Sequence, residues 1–161
     1  MAPRHSRSGV GRRSSVPISP MESSSFRLKT AKASGAVLTR LEEWPRASFV
    51  REPTPLIGAT NLANAMGRAP ADVLLKMDAE SGFGLGGNKA RKLEFELVPD
   101  RVEGATHVIT CGGPQSNHAR LTAAAAARLG LKCVLVVNGD TEPPYTGNAY
   151  LHRLFGAEIR P

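Results

Sequence analysis

Two short segments of this sequence carry residue types whose spacing suits chemistry. The first is Gly82-Phe83-Gly84-Leu85-Gly86-Gly87-Asn88-Lys89-Ala90-Arg91-Lys92, a glycine-rich turn that ends on a lysine. Gly82, Gly84 and Gly87 match G-x-G-x-x-G formally. The segment nevertheless lies far from the start of a standard βαβ unit, and no acidic residue ends a following strand about 20 residues on, so a dinucleotide reading is weak. A Walker A loop fails, because Asn88 stands where its lysine is required and Ala90 where Ser or Thr must follow Lys89. What remains is Lys89 at the mouth of the turn, with Arg91 and Lys92 behind it. A lysine approached by cations loses its proton more readily, and the neutral amine is the form that attacks an aldehyde. Lys92 and the free amides of a helix start suit an anion such as phosphate. Taken alone, the segment reads more simply as a solvated basic helix start with glycines making a turn.

The second segment is Cys111-Gly112-Gly113-Pro114-Gln115-Ser116-Asn117-His118, between an apolar run and an Ala-rich stretch. In α/β sheets, ligands bind beyond the carboxyl ends of strands, where this segment is expected to sit. Gly112 and Gly113 let backbone approach a ligand closely. Ser116 and Asn117 add hydroxyl and amide donors, although both types also serve as helix N-caps. His118 is a candidate proton carrier or a plain packing residue. A hydrolase reading of Ser116 lacks its partners, since neither a Ser-His-Asp order nor a G-x-S-x-G elbow is present. Metal-ligand spacing is absent too. Cys111 and Cys133 form no C-x-x-C pattern and are expected to be reduced, buried thiols.

The elements that must position these segments follow an α/β rhythm from residue 53 onward. Pro53-Thr54-Pro55-Leu56 reads as extended, Thr60 as the cap of a helix over Asn61–Met66 that stops at Gly67. A strand is predicted at Val73–Met77. A helix from Asn88 or Lys89 turns Leu93, Leu97 and Phe95 toward a core, and Pro99 ends or kinks it. Thr106–Thr110 is a strand, Gln115–Leu129 a helix stopped by Gly130, and Lys132–Val137 a strand apolar enough to be covered on both faces. Gly147–Phe155 is a last helix before a strand at Ala157–Ile159. Alternating strands and helices make a parallel sheet the economical topology. The sheet has begun a new strand where the chain ends at Pro161, so a larger protein is expected, with this chain as its N-terminal part.

Of 161 residues, 41% are hydrophobic and 22% charged, a globular composition. No apolar run approaches the roughly 18 to 20 residues of a membrane-spanning helix, so no membrane partner is expected. The net charge of +7 is concentrated in residues 1–40, which hold eight bases against the single acid Glu22. The remainder carries thirteen charges of each sign and few aromatics, which argues against a nucleic-acid partner. Residues 1–40 also hold nine serines and Pro3, Pro17 and Pro20. That composition reads as a disordered basic tail, either a mitochondrial or chloroplast transit peptide or an unstructured extension of a cytoplasmic protein, with Met21 as an alternative initiator.

Taken together, Gly86-Gly87-Asn88-Lys89-Ala90-Arg91-Lys92-Leu93-Glu94 and Gln115-Ser116-Asn117-His118 resemble the two N-terminal signatures of the D-cysteine desulfhydrase and 1-aminocyclopropane-1-carboxylate deaminase family. These are pyridoxal-phosphate enzymes of the tryptophan-synthase β-like fold, fold type II. The resemblance runs from about Pro53 to Arg160 and includes Gly147-Asn148 and Leu154-Phe155-Gly156-Ala157-Glu158-Ile159. It implies an incomplete three-layer α/β architecture. Residues 41–92 would begin the large cofactor domain, residues 93–161 would form part of a small α/β domain, and a C-terminal half outside this chain would complete both. It further implies pyridoxal 5'-phosphate as cofactor, with Asn88, Lys89, Lys92 and Asn117 in the cofactor-binding set. Lys89 would bond the cofactor aldehyde and return as the base that moves the substrate proton. Lys92 would contact the phosphate and Asn117 the pyridoxal hydroxyl. Ser116 would act on the substrate carboxylate or reacting carbon, and Gln115, Ser116, Asn117 and His118 would wrap the substrate side.

The activity so implied is elimination or deamination of a small amino acid. D-cysteine, giving pyruvate, hydrogen sulfide and ammonia, is preferred, because the deaminase branch commonly has glutamine at the position of His118. The alternative is ring opening of 1-aminocyclopropane-1-carboxylate to 2-oxobutanoate and ammonia. A reading of another class is an inactive fragment or pseudoenzyme acting as an interaction partner. A homodimer is implied for the full-length protein. Two departures stand out: Lys76-Met77-Asp78-Ala79 replaces the family's Lys-Arg-Asp-Asp, and Pro99 interrupts a helix that usually runs longer.

Overall fold

The computed structural model describes residues 41, 43–139 and 144–161. The tail expected over residues 1–40 therefore lies outside the described residues. Three strands, β3 (His107–Gly112), β4 (Lys132–Val137) and β5 (Ala157–Arg160), form a parallel sheet in that order. Its register sets Val108 opposite Cys133 and Leu135 opposite Ile159. The helices between them are α4 (Asn117–Arg128) and α5 (Gly147–Leu154), which pack on each other and on the sheet. The expected α/β rhythm is therefore present, with a parallel sheet.

Helix α4 is the centre of the molecule. Every residue from Ala119 to Ala126 is buried, because α4 meets the sheet, α5 and α2 (Lys89–Glu96) on different sides. Its small, mostly apolar side chains let it be enclosed on several sides. Leu121, Ala124 and Ala125 share a core cluster with Ala90, Leu93, Leu97, Phe49, Val50 and Phe83. Phe49 and Phe83 stack with ring centroids 5.0 Å apart. On the other side Ala123 and Ala126 pack with Cys133 and Ala157, and Ala119 packs with Leu135 and Val137.

Several elements differ from the sequence expectation. Leu56–Gly58 forms a strand, β1, antiparallel to β2 (Leu74–Lys76), where only an extended segment was expected. Helix α1 spans Thr60–Ala65, so Thr60 lies inside it and Ala59 holds the cap position. The cause is the β1–β2 pair: the Ala59 N–H donates to the Val73 carbonyl at 2.9 Å, fixing Ala59 as the junction, while its own carbonyl accepts from Ala63. α2 stops at Glu96 because Val98, before Pro99, is extended; Pro99 then opens the short helix α3 (Pro99–Val102), where its missing N–H costs nothing. Leu93 and Leu97 are buried as expected, but Phe95 is half-buried under the Arg46 guanidinium. α4 starts at Asn117, two residues later than expected, because Ser116 is extended and caps it. Helices α4 and α5 cover one face of the sheet, and on the other Ile109 and Val136 stay exposed among the described residues. Cys111 shares that open face, which corrects the expectation of two buried thiols; only Cys133 is buried, and burial pushes its thiol pKa up.

Candidate active site

The glycine turn is shaped by close approach. Gly86 sits at φ +80°, and a Cβ there would stand 1.9 Å from the Ala79 carbonyl oxygen. Gly84, at φ +52°, lies against α4, where a Cβ would stand 2.7 Å from Leu121 Cδ2. The Gly87 N–H donates to the Asp78 carbonyl at 2.8 Å, so the turn wraps the short helical segment Asp78–Glu80 and delivers Asn88 and Lys89 to the start of α2. Asn88 is exposed at the cap position and Lys89 half-buried in the first turn. Lys89 has no hydrogen-bond or ion-pair partner among the described residues.

The other two cations of this segment are engaged. Arg91 forks onto both oxygens of Asp78 and also reaches Thr54 at 2.8 Å and Glu52 at 2.9 Å. Its guanidinium holds the Asp78 carboxyl below the usual carboxylate range, while Glu52 is lowered first by Arg46 and then by Arg91. Arg91 is thus matched by two carboxylates. This corrects the view of it as an uncompensated cation beside the Lys89 amine. Lys92 is exposed and pairs with Glu96 one turn on, at 3.3 Å. In the departure at Lys76-Met77-Asp78-Ala79, the retained Asp78 keeps its arginine and Lys76 donates to the Thr54 carbonyl.

The Gln115–His118 segment begins α4. Ser116 Oγ accepts from the Ala119 N–H at 3.2 Å, a cap that leaves the hydroxyl proton free to donate. His118 is half-buried with its Nε2 3.3 Å from Thr110 Oγ1, and its buried Nδ1 has no hydrogen-bond partner among the described residues. Burial, then the charge of Lys92, lowers its pKa; Lys89 acts in the same direction and Glu96 against it. His118 is therefore neutral at pH 7 and stands within electrostatic range of both lysines of α2. The two sequence segments meet here, with Lys89 and Lys92 lying 29 and 26 residues before His118.

Three residues that the sequence reading gave no role hold the meeting together. Arg120, buried on α4, donates through Nη1 to the Gly84 carbonyl, through Nη2 to the Gly86 carbonyl at 2.8 Å, and through Nη2 to Asn117 Oδ1 at 3.4 Å. Burial lowers its pKa, yet the guanidinium remains charged because its ordinary pKa is so high. Asn148, on α5, donates from Nδ2 to the Gln115 carbonyl and to Asn117 Oδ1, each at 2.8 Å. His152, fully buried one turn further, places Nε2 3.3 Å from the Ser116 carbonyl. Both ends of the Gln115 amide face α5: Oε1 accepts from the Asn148 N–H and Nε2 donates to the Thr146 carbonyl. The signal in the sequence was Arg120 set among small apolar residues, and an arginine is buried only where its donors are paired.

A family model described as pyridoxal-phosphate dependent enzyme matches residues 47–161. The D-cysteine desulfhydrase of Salmonella typhimurium is 42% identical over 127 residues, 76% of this chain and 38% of its own length. The 1-aminocyclopropane-1-carboxylate deaminase of Burkholderia lata is also 42% identical over 127 residues, covering 74% of this chain and 37% of its own. A crystal structure described as an ACC deaminase homologue superposes with a TM-score of 0.67 at 37% identity, over 77% of this chain and 37% of that one. The chain thus spans about 38% of the length of the curated relatives it matches. The fold is the tryptophan-synthase β-like fold, type II, and the cofactor of these enzymes is pyridoxal phosphate. This chain belongs to the pyridoxal-phosphate dependent enzymes, and within that family it is similar to D-cysteine desulfhydrase and 1-aminocyclopropane-1-carboxylate deaminase.

Proposed function

We propose that the protein takes part in α,β-elimination of D-cysteine, with uptake of water, to pyruvate, hydrogen sulfide and ammonia. The observation that carries this reading is the junction at Arg120, which bonds Asn117 and the glycine turn that ends on the half-buried Lys89, an amine without a partner among the described residues, with His118 in electrostatic range of that lysine. The donor set fits the cofactor. An amine without a carboxylate partner is available for an aldehyde, and an amide whose oxygen is already bonded has its N–H groups left for a phenolic oxygen. Lys89 would hold the cofactor, with Asn88 and Lys92 on either side and Asn117 opposite. When bound, the cofactor supplies an electron sink for charge developing at the substrate Cα. Lys89 removes the Cα proton, and its position at the rigid start of α2 aims the amine. Ser116 donates its free hydroxyl proton to the substrate carboxylate. His118, kept neutral by burial and by the lysines, adds no charge that would repel the Lys89 ammonium once it carries the proton.

The second reading is ring opening of 1-aminocyclopropane-1-carboxylate, supported by the Burkholderia relatives. His118 favours D-cysteine. The test is incubation with pyridoxal phosphate, borohydride reduction and peptide mapping, with Lys89→Ala as control. Selective pyridoxyl labelling of Lys89 is expected, and labelling spread over surface lysines at equal yield overturns the assignment. Hydrogen sulfide release from D-cysteine against 2-oxobutanoate formation then separates the two substrates.

A further inference from the structure

We infer that Asn148 and Arg120 are positioning residues that fix the polarity of the Asn117 side-chain amide, so that it presents N–H donors to its ligand. The argument begins at a group whose polarity is not adjustable. The Gln115 main-chain carbonyl can only accept, so the nitrogen of Asn148 must face it, at 2.8 Å. That same nitrogen contacts Asn117 at 2.8 Å, and a donor there requires the Asn117 oxygen. A guanidinium can only donate, and Arg120 Nη2 reaches the same oxygen at 3.4 Å. Two independent donors therefore hold one end of the Asn117 amide, and its NH2 group has no partner among the described residues.

The device is itself anchored on both sides. Asn148 is held by its own main-chain N–H on Gln115 Oε1 at 2.8 Å, and its helix is fastened by buried His152 to the Ser116 carbonyl. The Arg120 guanidinium is held by the carbonyls of Gly84 and Gly86 in the turn that carries Lys89. One guanidinium thus ties the lysine-bearing turn to the asparagine, and one amide ties the asparagine to α5. A wrongly turned asparagine would present a carbonyl oxygen to an acceptor, replacing attraction with repulsion. In this group of enzymes such an acceptor would be the phenolic oxygen of the cofactor, so the functional half of the inference rests on the proposed role of Lys89 and Asn117.

The experiment uses the full 161-residue chain and has two arms. Without cofactor, NMR of the side-chain amides should show Asn148 protons protected from exchange with water and Asn117 protons exchanging freely. The reverse pattern overturns the inference whatever the protein binds. The second arm measures pyridoxal phosphate binding, by absorbance, to Asn148→Asp and Asn148→Ala. Asp keeps the shape of asparagine but offers only acceptors, which turns the Asn117 amide around; Ala merely removes a donor. Polarity control predicts at least tenfold weaker binding for Asn148→Asp, a smaller loss for Asn148→Ala, and new protection of the Asn117 amide in Asn148→Asp. A purely structural role predicts the opposite order, with Ala the more harmful, and that result overturns the inference. If the wild-type chain shows no Lys89-dependent binding, the proposed role of Lys89 in this chain fails while the amide pattern still decides the polarity claim.

Discussion

At the scale of single residues, Ser116, half-buried His118 and buried His152 show how one side chain serves both fold and site. Ser116 Oγ caps α4 by accepting from Ala119, so Ser116→Ala should lower stability by about 1 kcal/mol. Ser116→Asp restores the cap and should recover that stability in a denaturant titration. It supplies no hydroxyl, however, so Ser116→Asp should stay defective in hydrogen sulfide release if the proposed contact with substrate holds. His118 and His152 both have pKa values lowered from the ordinary 6.5, chiefly by burial. A base whose folded pKa is depressed takes up its proton first in the unfolded chain, so stability is full above about pH 6.5 and falls as pH drops below it. Glu52 and Asp78, lowered by their arginines, add a separate loss near the ordinary carboxylate range. Thermal midpoints should therefore begin to fall near pH 6.5, before any carboxylate titrates. His118→Gln with His152→Gln should flatten that upper limb and leave the lower one; an unchanged upper limb would assign the loss elsewhere.

At the scale of elements, the glycine turn is a packed object rather than a slack loop. Gly86→Ala must push a Cβ into the Ala79 carbonyl at a positive φ, and should cost about 3 kcal/mol or more. Gly104 also has a positive φ, at +73°, but its Cβ would meet open space, so Gly104→Ala should cost only about 1 kcal/mol. Urea midpoints of the two variants measure the difference, and equal values would mean that the close approach is not what the turn needs. The contrast also marks what the sequence can tell. Gly67, Gly130 and Gly156 end helices and are recognisable from the local pattern, as are α4, β3, β4 and α5. That Gly86 faces Ala79, or that Arg120 bonds the turn 34 residues before it, depends on how the elements meet. The start of α4 is ambiguous in the sequence for a local reason, since Ser116 satisfies the patterns of both a helical residue and a cap.

At the scale of the whole molecule, the parts least legible in the sequence are those held by contacts between residues far apart in the chain. The antiparallel β1–β2 pair has short, largely exposed strands, so no apolar alternation announces it. The segment around Phe49 depends on Glu94, a residue that the sequence placed in a motif without giving it a task. Glu94 is buried in α2 and accepts from the Phe49 N–H at 2.8 Å, the Val50 N–H at 2.7 Å and Arg46 Nε at 2.8 Å. Those bonds close the core in which Phe49 stacks on Phe83, beside the turn that delivers Lys89. Removing the carboxylate leaves two buried amides without acceptors and a guanidinium without its buried partner. Glu94→Ala should therefore cost about 3 to 5 kcal/mol. Glu94→Gln keeps one acceptor oxygen for the two amides but sets an N–H2 against Arg46, and should cost less. Hydrogen exchange distinguishes this local anchor from a general loss of packing. In Glu94→Gln the Phe49 and Val50 amides should exchange faster while the amides of α4 keep their protection, because α4 is held by the sheet and α5 independently of the Glu94 contact. Equal loss of protection in both places would instead make the segment and the central helix one cooperative unit, with Glu94 stabilising the site by sustaining the fold as a whole.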